Sequence, residues 1–199
     1  KKKKIKKYLG FKEKKIILMP GRLTSWKGQE LFIKSIHLVK TELGYEAFHV
    51  VILGSEQGRD LYKNKLVNLT EQYNLSNQIK FIDHCEDMAL AYKVSDIVVS
   101  ASIEPEAFGR VAVEAQSMKK LIIASNIGGS NETIINGKTG ILFESGDATS
   151  LSKKIIQALT MDEATIKLIG EEARKNIIKK FNVEKMCFST YSEYKRLLN

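Results

Sequence analysis

The chain has 199 residues, 43% of them hydrophobic, which is enough for one full core, and its evenly spread apolar runs argue for one α/β domain. Its net charge of +9 invites a nucleic-acid partner until the charge is located: residues 1–15 hold nine Lys and one Glu, a charge of +8, whereas the other 184 residues carry +1. The basicity is a tail with no nucleic-acid-binding motif beside it, which argues against such a partner.

That Lys-rich tail reads as a solvated linker or arm, residues 1–15, ahead of a domain over 16–199. Weak contact with an anionic membrane is the alternative, since lysines near a charged surface each add about 1 kcal/mol. Cys85 and Cys187 lie far apart without CxxC or Cys/His ligand spacing, so a reducing cytoplasm and no structural zinc are expected. His84 adjoins Cys85 but lacks the further acids or histidines of a metal site. There is no apolar run of about 18 residues and no signal-peptide pattern, so no membrane span is expected. The protein is expected to be cytoplasmic, at the inner membrane face if the arm binds lipid. The chain does not begin with Met and is expected to be cut from a longer protein or processed.

In chain order, Ile16-Ile17-Leu18-Met19 reads as a first strand, broken by Pro20-Gly21. Apolar Leu31, Phe32, Ile36, Val39 and Leu43 then recur at helical spacing. His49-Val50-Val51-Ile52-Leu53 is a second buried strand closed by Gly54, with Leu61, Leu66, Leu69 and Tyr73 marking the next helix. Ile79-Lys80-Phe81-Ile82 is a third strand, a short helix covers residues 88–94, and Ile97-Val98-Val99 is a fourth. After the loop that follows it come a helix from Val111, a fifth strand over residues 121–124, a short helix near 132–135 and a sixth strand over 140–143. From Asp147 the pattern is helical: Leu151, Ile155 and Leu159 on one side, then residues 166–178 and 183–198. Strands of Val, Ile and Leu without alternation, separated by helices, predict a Rossmann-like parallel sheet of about six strands covered on both faces, with terminal helices over about 148–199.

The informative loop is Ser102-Ile103-Glu104-Pro105-Glu106-Ala107-Phe108-Gly109-Arg110-Val111. Gly109 stands where a helix would begin, and Glu114 sits about one turn inside it. The first amides of a helix have no internal partner and carry the positive end of its dipole, so they make an anion site, and Glu114 can accept hydrogen bonds from neutral hydroxyls. In an open parallel sheet, ligands gather outside the carboxyl ends of the strands. Arg22 and Lys27 lie in the loop after the first strand. A lysine at a helix start opposes the dipole, so Lys27 reads as serving a ligand. Gly54-Ser55-Glu56-Gln57-Gly58-Arg59 lacks the Gly-Lys-Ser/Thr ending of a triphosphate-binding loop.

Two acids seven residues apart around Glu106-Ala107-Phe108-Gly109-Arg110, together with Gly21-Arg22 and Lys27-Gly28, resemble the signatures of retaining family 4 glycosyltransferases of the GT-B type. The similarity runs from about residue 16 to about 143, over a carboxyl-terminal, donor-binding domain. It implies that Glu106 contacts the sugar of a UDP- or GDP-sugar donor and that Glu114 binds the ribose hydroxyls. Amides of Ala107, Phe108 and Gly109 would meet the sugar, and those of Arg110 and Val111 the phosphate. Arg22 and Lys27, following Gly21, would hold the diphosphate and stabilise the leaving nucleotide. Gly54 and Ser55 would line the pocket, and the Asp83-His84-Cys85-Glu86 loop would hold the base through its backbone. Gly128-Gly129 with Glu132 matches a recurring family pattern whose role is structural: a tight turn and an acid in the next helix's first turn. Trp26 packs the loop.

The implied activity is transfer of a hexosyl unit to a glycan or lipid-linked acceptor in cell-surface polysaccharide or lipopolysaccharide synthesis, with no cofactor and no metal. The acceptor would sit on an amino-terminal domain that this chain lacks, so the isolated chain would bind nucleotide without transferring sugar. The terminal helices would cross toward that domain and leave apolar surface exposed here. A sugar-nucleotide epimerase of the GT-B type and a non-catalytic nucleotide-sensing module are the alternatives. The intact Glu106 disfavours the second, because a pure nucleoside-diphosphate binder has no use for a sugar-facing acid.

Overall fold

The computed structural model describes residues 14–44 and 48–198, so most of the Lys-rich arm lies outside the described residues. Six strands form one parallel sheet: β1 (Lys15–Pro20), β2 (Phe48–Leu53), β3 (Ile79–Ile82), β4 (Ile97–Ser100), β5 (Leu121–Ser125) and β6 (Ile141–Phe143), in the spatial order β3-β2-β1-β4-β5-β6. The helices are α1 (Gln29–Leu43), α2 (Asp60–Gln72), α3 (Met88–Val94), α4 (Arg110–Ser117), α5 (Ser130–Thr133), α6 (Ala148–Thr160), α7 (Glu163–Lys180) and α8 (Val183–Leu198).

Side chains alternate between the two faces of a strand, so β1 feeds two cores at once. Ile17 and Met19 join the core beneath α1, α2 and α6, whereas Ile16 and Leu18 join a smaller one containing Tyr92 of α3 and Ala112 and Ala115 of α4. With both faces covered, the central strands have no solvent side. This is why they read as unbroken apolar runs.

Three local expectations are corrected. Lys15 belongs to β1 and not to the arm: it pairs with Phe48 across the strands and its Nζ donates to the Leu159 carbonyl at 2.6 Å. Leu61 does not face the core; it is 89% exposed, and the inward stripe of α2 is Tyr62, Leu66 and Leu69, continued by Tyr73 just past its end. The short helix spans Ser130–Thr133 instead of starting near 132, because the preceding glycines are pinned by a tertiary contact described below.

Among the described residues the last helix, α8, buries none of its side chains, and Val183, Met186, Phe188, Tyr191, Tyr194, Leu197 and Leu198 are all exposed apolar or aromatic side chains. Among the described residues no helix is long and apolar enough to cross a membrane.

The sheet order reverses direction between β1 and β4: the chain leaves β1 toward β2 on one side and returns to β4 on the other. Such a switch point opens a crevice at the carboxyl ends of the two strands. The loops after β1 and β4 are stitched together there. The Ile103 amide donates to the Trp26 carbonyl at 2.8 Å. Gly28, at φ +76°, lies so close to β4's exit that a Cβ would stand 1.9 Å from the Ala101 carbonyl oxygen. Only glycine permits this approach, in a backbone conformation that side chains disfavour.

Candidate functional site

The crevice is a cleft of about 620 Å³. It brings together Gly21, Arg22 and Lys27 from the loop after β1, Gly54 after β2, His84 after β3, and Glu106, Ala107, Phe108, Gly109, Arg110, Val111 and Glu114 from the loop after β4 and the start of α4, whereas Glu86 of the loop after β3 is not in its lining. Ser55, Asp83, Cys85 and Trp26 line it too.

The loop after β1 presents its cations from a fixed backbone. The buried Gln29 donates from its side chain to the Arg22 carbonyl at 2.8 Å and accepts from the Tyr62 hydroxyl at 3.2 Å. Leu23 is buried, so the chain is anchored on both sides of Arg22, whose own side chain is exposed. A single 3₁₀ turn, Ser25–Lys27, then ends at Gly28 and turns Lys27 into the cleft. Its Nζ lies 4.4 Å from the centre of the Trp26 ring, a cation–π contact that gives Trp26 a role beyond filling the loop.

Lys27 also meets Glu106. The two form an ion pair at 2.7 Å with side chains only 14% and 18% exposed, and the buried Ser102 hydroxyl donates to the other carboxylate oxygen. The tip that carries Glu106 rests on the next loop: the Gly129 amide donates to the Glu106 carbonyl at 2.8 Å, and a Cβ on Gly129 would fall 2.6 Å from the Phe108 carbonyl carbon. This contact is what sets the start of α5. Phe108 reaches outward and packs edge-on against Phe181, with ring centres 5.7 Å apart.

Helix α4 begins at Gly109, at φ +74°, and no side chain caps it. Its first amides therefore keep their capacity for an anion in the cleft. One turn on, Glu114 is held at both oxygens: Oε2 accepts from the Tyr92 hydroxyl at 2.8 Å, and Oε1 meets the Arg110 guanidinium at 3.1 Å. Burial, and then the Glu114 carboxylate, push the Tyr92 phenol well above its ordinary pKa, so Tyr92 remains a donor at neutral pH. Among the described residues no cluster of three or more His, Cys, Asp or Glu converges on a point that could hold a metal ion.

The family model for glycosyl transferases group 1 matches residues 1–181. The chain belongs to this family. A solved glycosyltransferase of Rickettsia africae is similar to it at 36% identity with a TM-score of 0.90, over 99% of this chain and 51% of that one. The capsular polysaccharide biosynthesis glycosyltransferase CapM of Staphylococcus aureus is 29% identical over 178 residues, 89% of this chain and 45% of its own. Anabaena HepE, solved in complex with UDP and glucose, shares the fold at a TM-score of 0.89 and 24% identity, over 98% of this chain and 52% of that one. The chain therefore spans about half the length of these three relatives, and its six-stranded sheet with terminal helices is one half of the GT-B fold.

For this glycosyltransferase domain, the roles of two residues that hold the cleft's acids escaped the sequence reading. Ser102 stands in the signature loop but was given no role, although it holds Glu106. Tyr92 lies on a different helix from Glu114, and no spacing relates them; the only signal is that a tyrosine among the buried positions of a helix must find a partner for its hydroxyl.

Proposed function

We propose that this domain binds the nucleotide-sugar donor of a retaining glycosyltransferase, which moves a hexosyl unit from a UDP- or GDP-sugar to a glycan or lipid-linked acceptor. The observation that carries the reading is the meeting, in one cleft, of Arg22 and Lys27 from the β1 loop with the uncapped start of α4. Breaking the bond between the sugar's anomeric carbon and the diphosphate leaves an electron pair, and growing negative charge, on the diphosphate. Fixed cations and oriented amides at that point favour the transition state over the bound ground state. In this reading Arg22, Lys27 and the amides of Arg110 and Val111 take the phosphates, and no metal is needed for their charge.

Glu106 then faces the sugar, met by the Ala107 to Gly109 amides beside it, and Glu114 accepts the ribose hydroxyls. Gly21 and Gly54 admit the nucleotide closely, and the His84 loop borders the base. The Lys27–Glu106 pair adds a detail: a diphosphate that takes Lys27 releases Glu106 to accept from a sugar hydroxyl. The acceptor, in this reading, is bound by an amino-terminal domain that covers the exposed face of α8, and the protein acts at the cytoplasmic face of the membrane in cell-surface polysaccharide or lipopolysaccharide synthesis. CapM, by its name, belongs to capsular polysaccharide biosynthesis, and HepE, alike in fold alone, takes UDP; both supply the first candidates to try.

A melting screen against UDP, GDP, ADP and uridine tests the reading. A ligand at 100 times its dissociation constant adds about 2.7 kcal/mol, which for a domain of this size raises Tm by roughly 5–10 °C. A nucleoside diphosphate gives that shift and uridine at the same concentration gives little. No shift with any diphosphate rejects the site.

A further inference from the structure

The buried Tyr92 is the part of the cleft whose chemistry the proposed reaction leaves unused. It is 2% exposed and packed in the smaller core, in the company of Ile16, Leu18, Val98, Ala112 and Ala115. Yet it borders the cleft, and its one polar atom leaves that apolar cluster to donate to Glu114. Arg110, the other partner of Glu114, is 84% exposed. A long exposed side chain that must be ordered to make an ion pair gains little from it. A tyrosine ring clamped in a core has two torsions to fix and both are already fixed by packing. Of the two partners, the phenol sets where the carboxylate points.

An ionised carboxylate offers about four lone-pair sites. Tyr92 takes one on Oε2 and Arg110 one on Oε1, which leaves one free site on each oxygen and none of it wasted on a buried neighbour. Two parallel acceptors about 2.2 Å apart, the ordinary spacing of carboxylate oxygens, suit a pair of neighbouring hydroxyl donors. We propose that Tyr92 is a positioning residue that fixes Glu114 to accept the 2′- and 3′-hydroxyls together, and so makes the site select ribonucleotides over deoxynucleotides. The inference rests on Glu114 being the ribose-binding acid of the proposed function. It deepens that reading by naming what holds the acid in place and which substrates it rejects.

Calorimetry on this domain tests it, with UDP and GDP each measured against its 2′,3′-dideoxy form; the ratio of the two dissociation constants is read for the tighter pair. Hydroxyls donating to a carboxylate are worth enough to make that ratio at least about tenfold in the wild type. Tyr92→Phe keeps the ring in its core and removes the donor. It is expected to weaken the ribonucleotide by about three- to tenfold, to leave the dideoxy form unchanged, and so to collapse the ratio. In a Glu114→Ala background the same change should have no further effect, the mark of two residues acting as one unit. Equal weakening of both ligands would mean a structural role only, and an unchanged ratio would mean no role; either overturns the inference while leaving Glu114's place intact. A wild type that does not distinguish the two ligands would instead overturn the ribose assignment of Glu114, and the inference with it. Arg110→Ala, which keeps the main-chain amide and acts on both ligands of a pair alike, supplies an arm that does not depend on Tyr92→Phe folding. It should preserve the ratio within about threefold, and if it abolishes the ratio then Arg110, and not Tyr92, positions the acid.

Discussion

Replacing Lys27 with alanine weakens UDP or GDP binding by about 10- to 150-fold, measured by calorimetry. The figure follows from the loss of a charged hydrogen bond to phosphate, about 1.5–3 kcal/mol. The backbone that holds Lys27 survives the change, because its turn is set by Gly28 against Ala101 and by the Ile103–Trp26 hydrogen bond, none of which uses the lysine side chain. The ion pair it gives up is mostly buried, with side chains 14% and 18% exposed, so the variant also loses some stability when Glu106 is left without its cation. The substitution also strands the Glu106 carboxylate, 2.7 Å from where the ammonium was, beside the incoming phosphates. That repulsion pushes the loss toward the upper end of the range. Affinity unchanged in the variant would remove Lys27 from the diphosphate site.

The second large effect separates binding from transfer. In a protein that carries both halves of the fold, Glu106→Gln lowers the rate of sugar transfer by about 10- to 100-fold, as expected when a charged acceptor for a sugar hydroxyl becomes a neutral one. Nucleoside-diphosphate affinity stays the same or improves, because the substitution removes the anion that competes with the phosphates for Lys27. The Ser102 hydroxyl still finds an oxygen to donate to, so the tip keeps its shape. An interaction made in the transition state and absent from nucleotide binding is recognised by this pattern: steady-state kinetics show kcat falling with donor KM unchanged or lower. A matching loss of UDP affinity would make Glu106 part of the nucleotide pocket and not of the sugar's.

The sheet was legible because parallel strands covered on both faces are apolar without interruption, and Ile16 to Met19, Val50 to Leu53 and Ile97 to Val99 have no other reading. The shared position of the cleft residues was legible because they stand in loops at the carboxyl ends of the strands: cations after β1, a glycine-started helix after β4. What the sequence hid was contact between these groups. Lys27 and Glu106 were chosen separately, one for phosphate and one for sugar, and only the crossing of two loops at Gly28 and Ala101 shows that each neutralises the other. Tyr92 meets Glu114 for the same reason, since α3 and α4 flank β4 from the same face of the sheet. Leu61 was misassigned because its neighbour Tyr62 also suits a core position, and periodicity decides between adjacent candidates only when the rest of the stripe is known. The beginning of α5 depended on Gly129 lying beneath Phe108, a contact with no local signature.

The most direct test is a crystal structure of this domain grown with UDP or GDP. The diphosphate should lie between Lys27 and the start of α4, with the ammonium within about 3 Å of a phosphate oxygen, withdrawn from Glu106, and with the ribose hydroxyls on Glu114. A nucleotide bound outside the cleft, or a diphosphate that touches neither Lys27 nor the amides of Arg110 and Val111, would contradict the account.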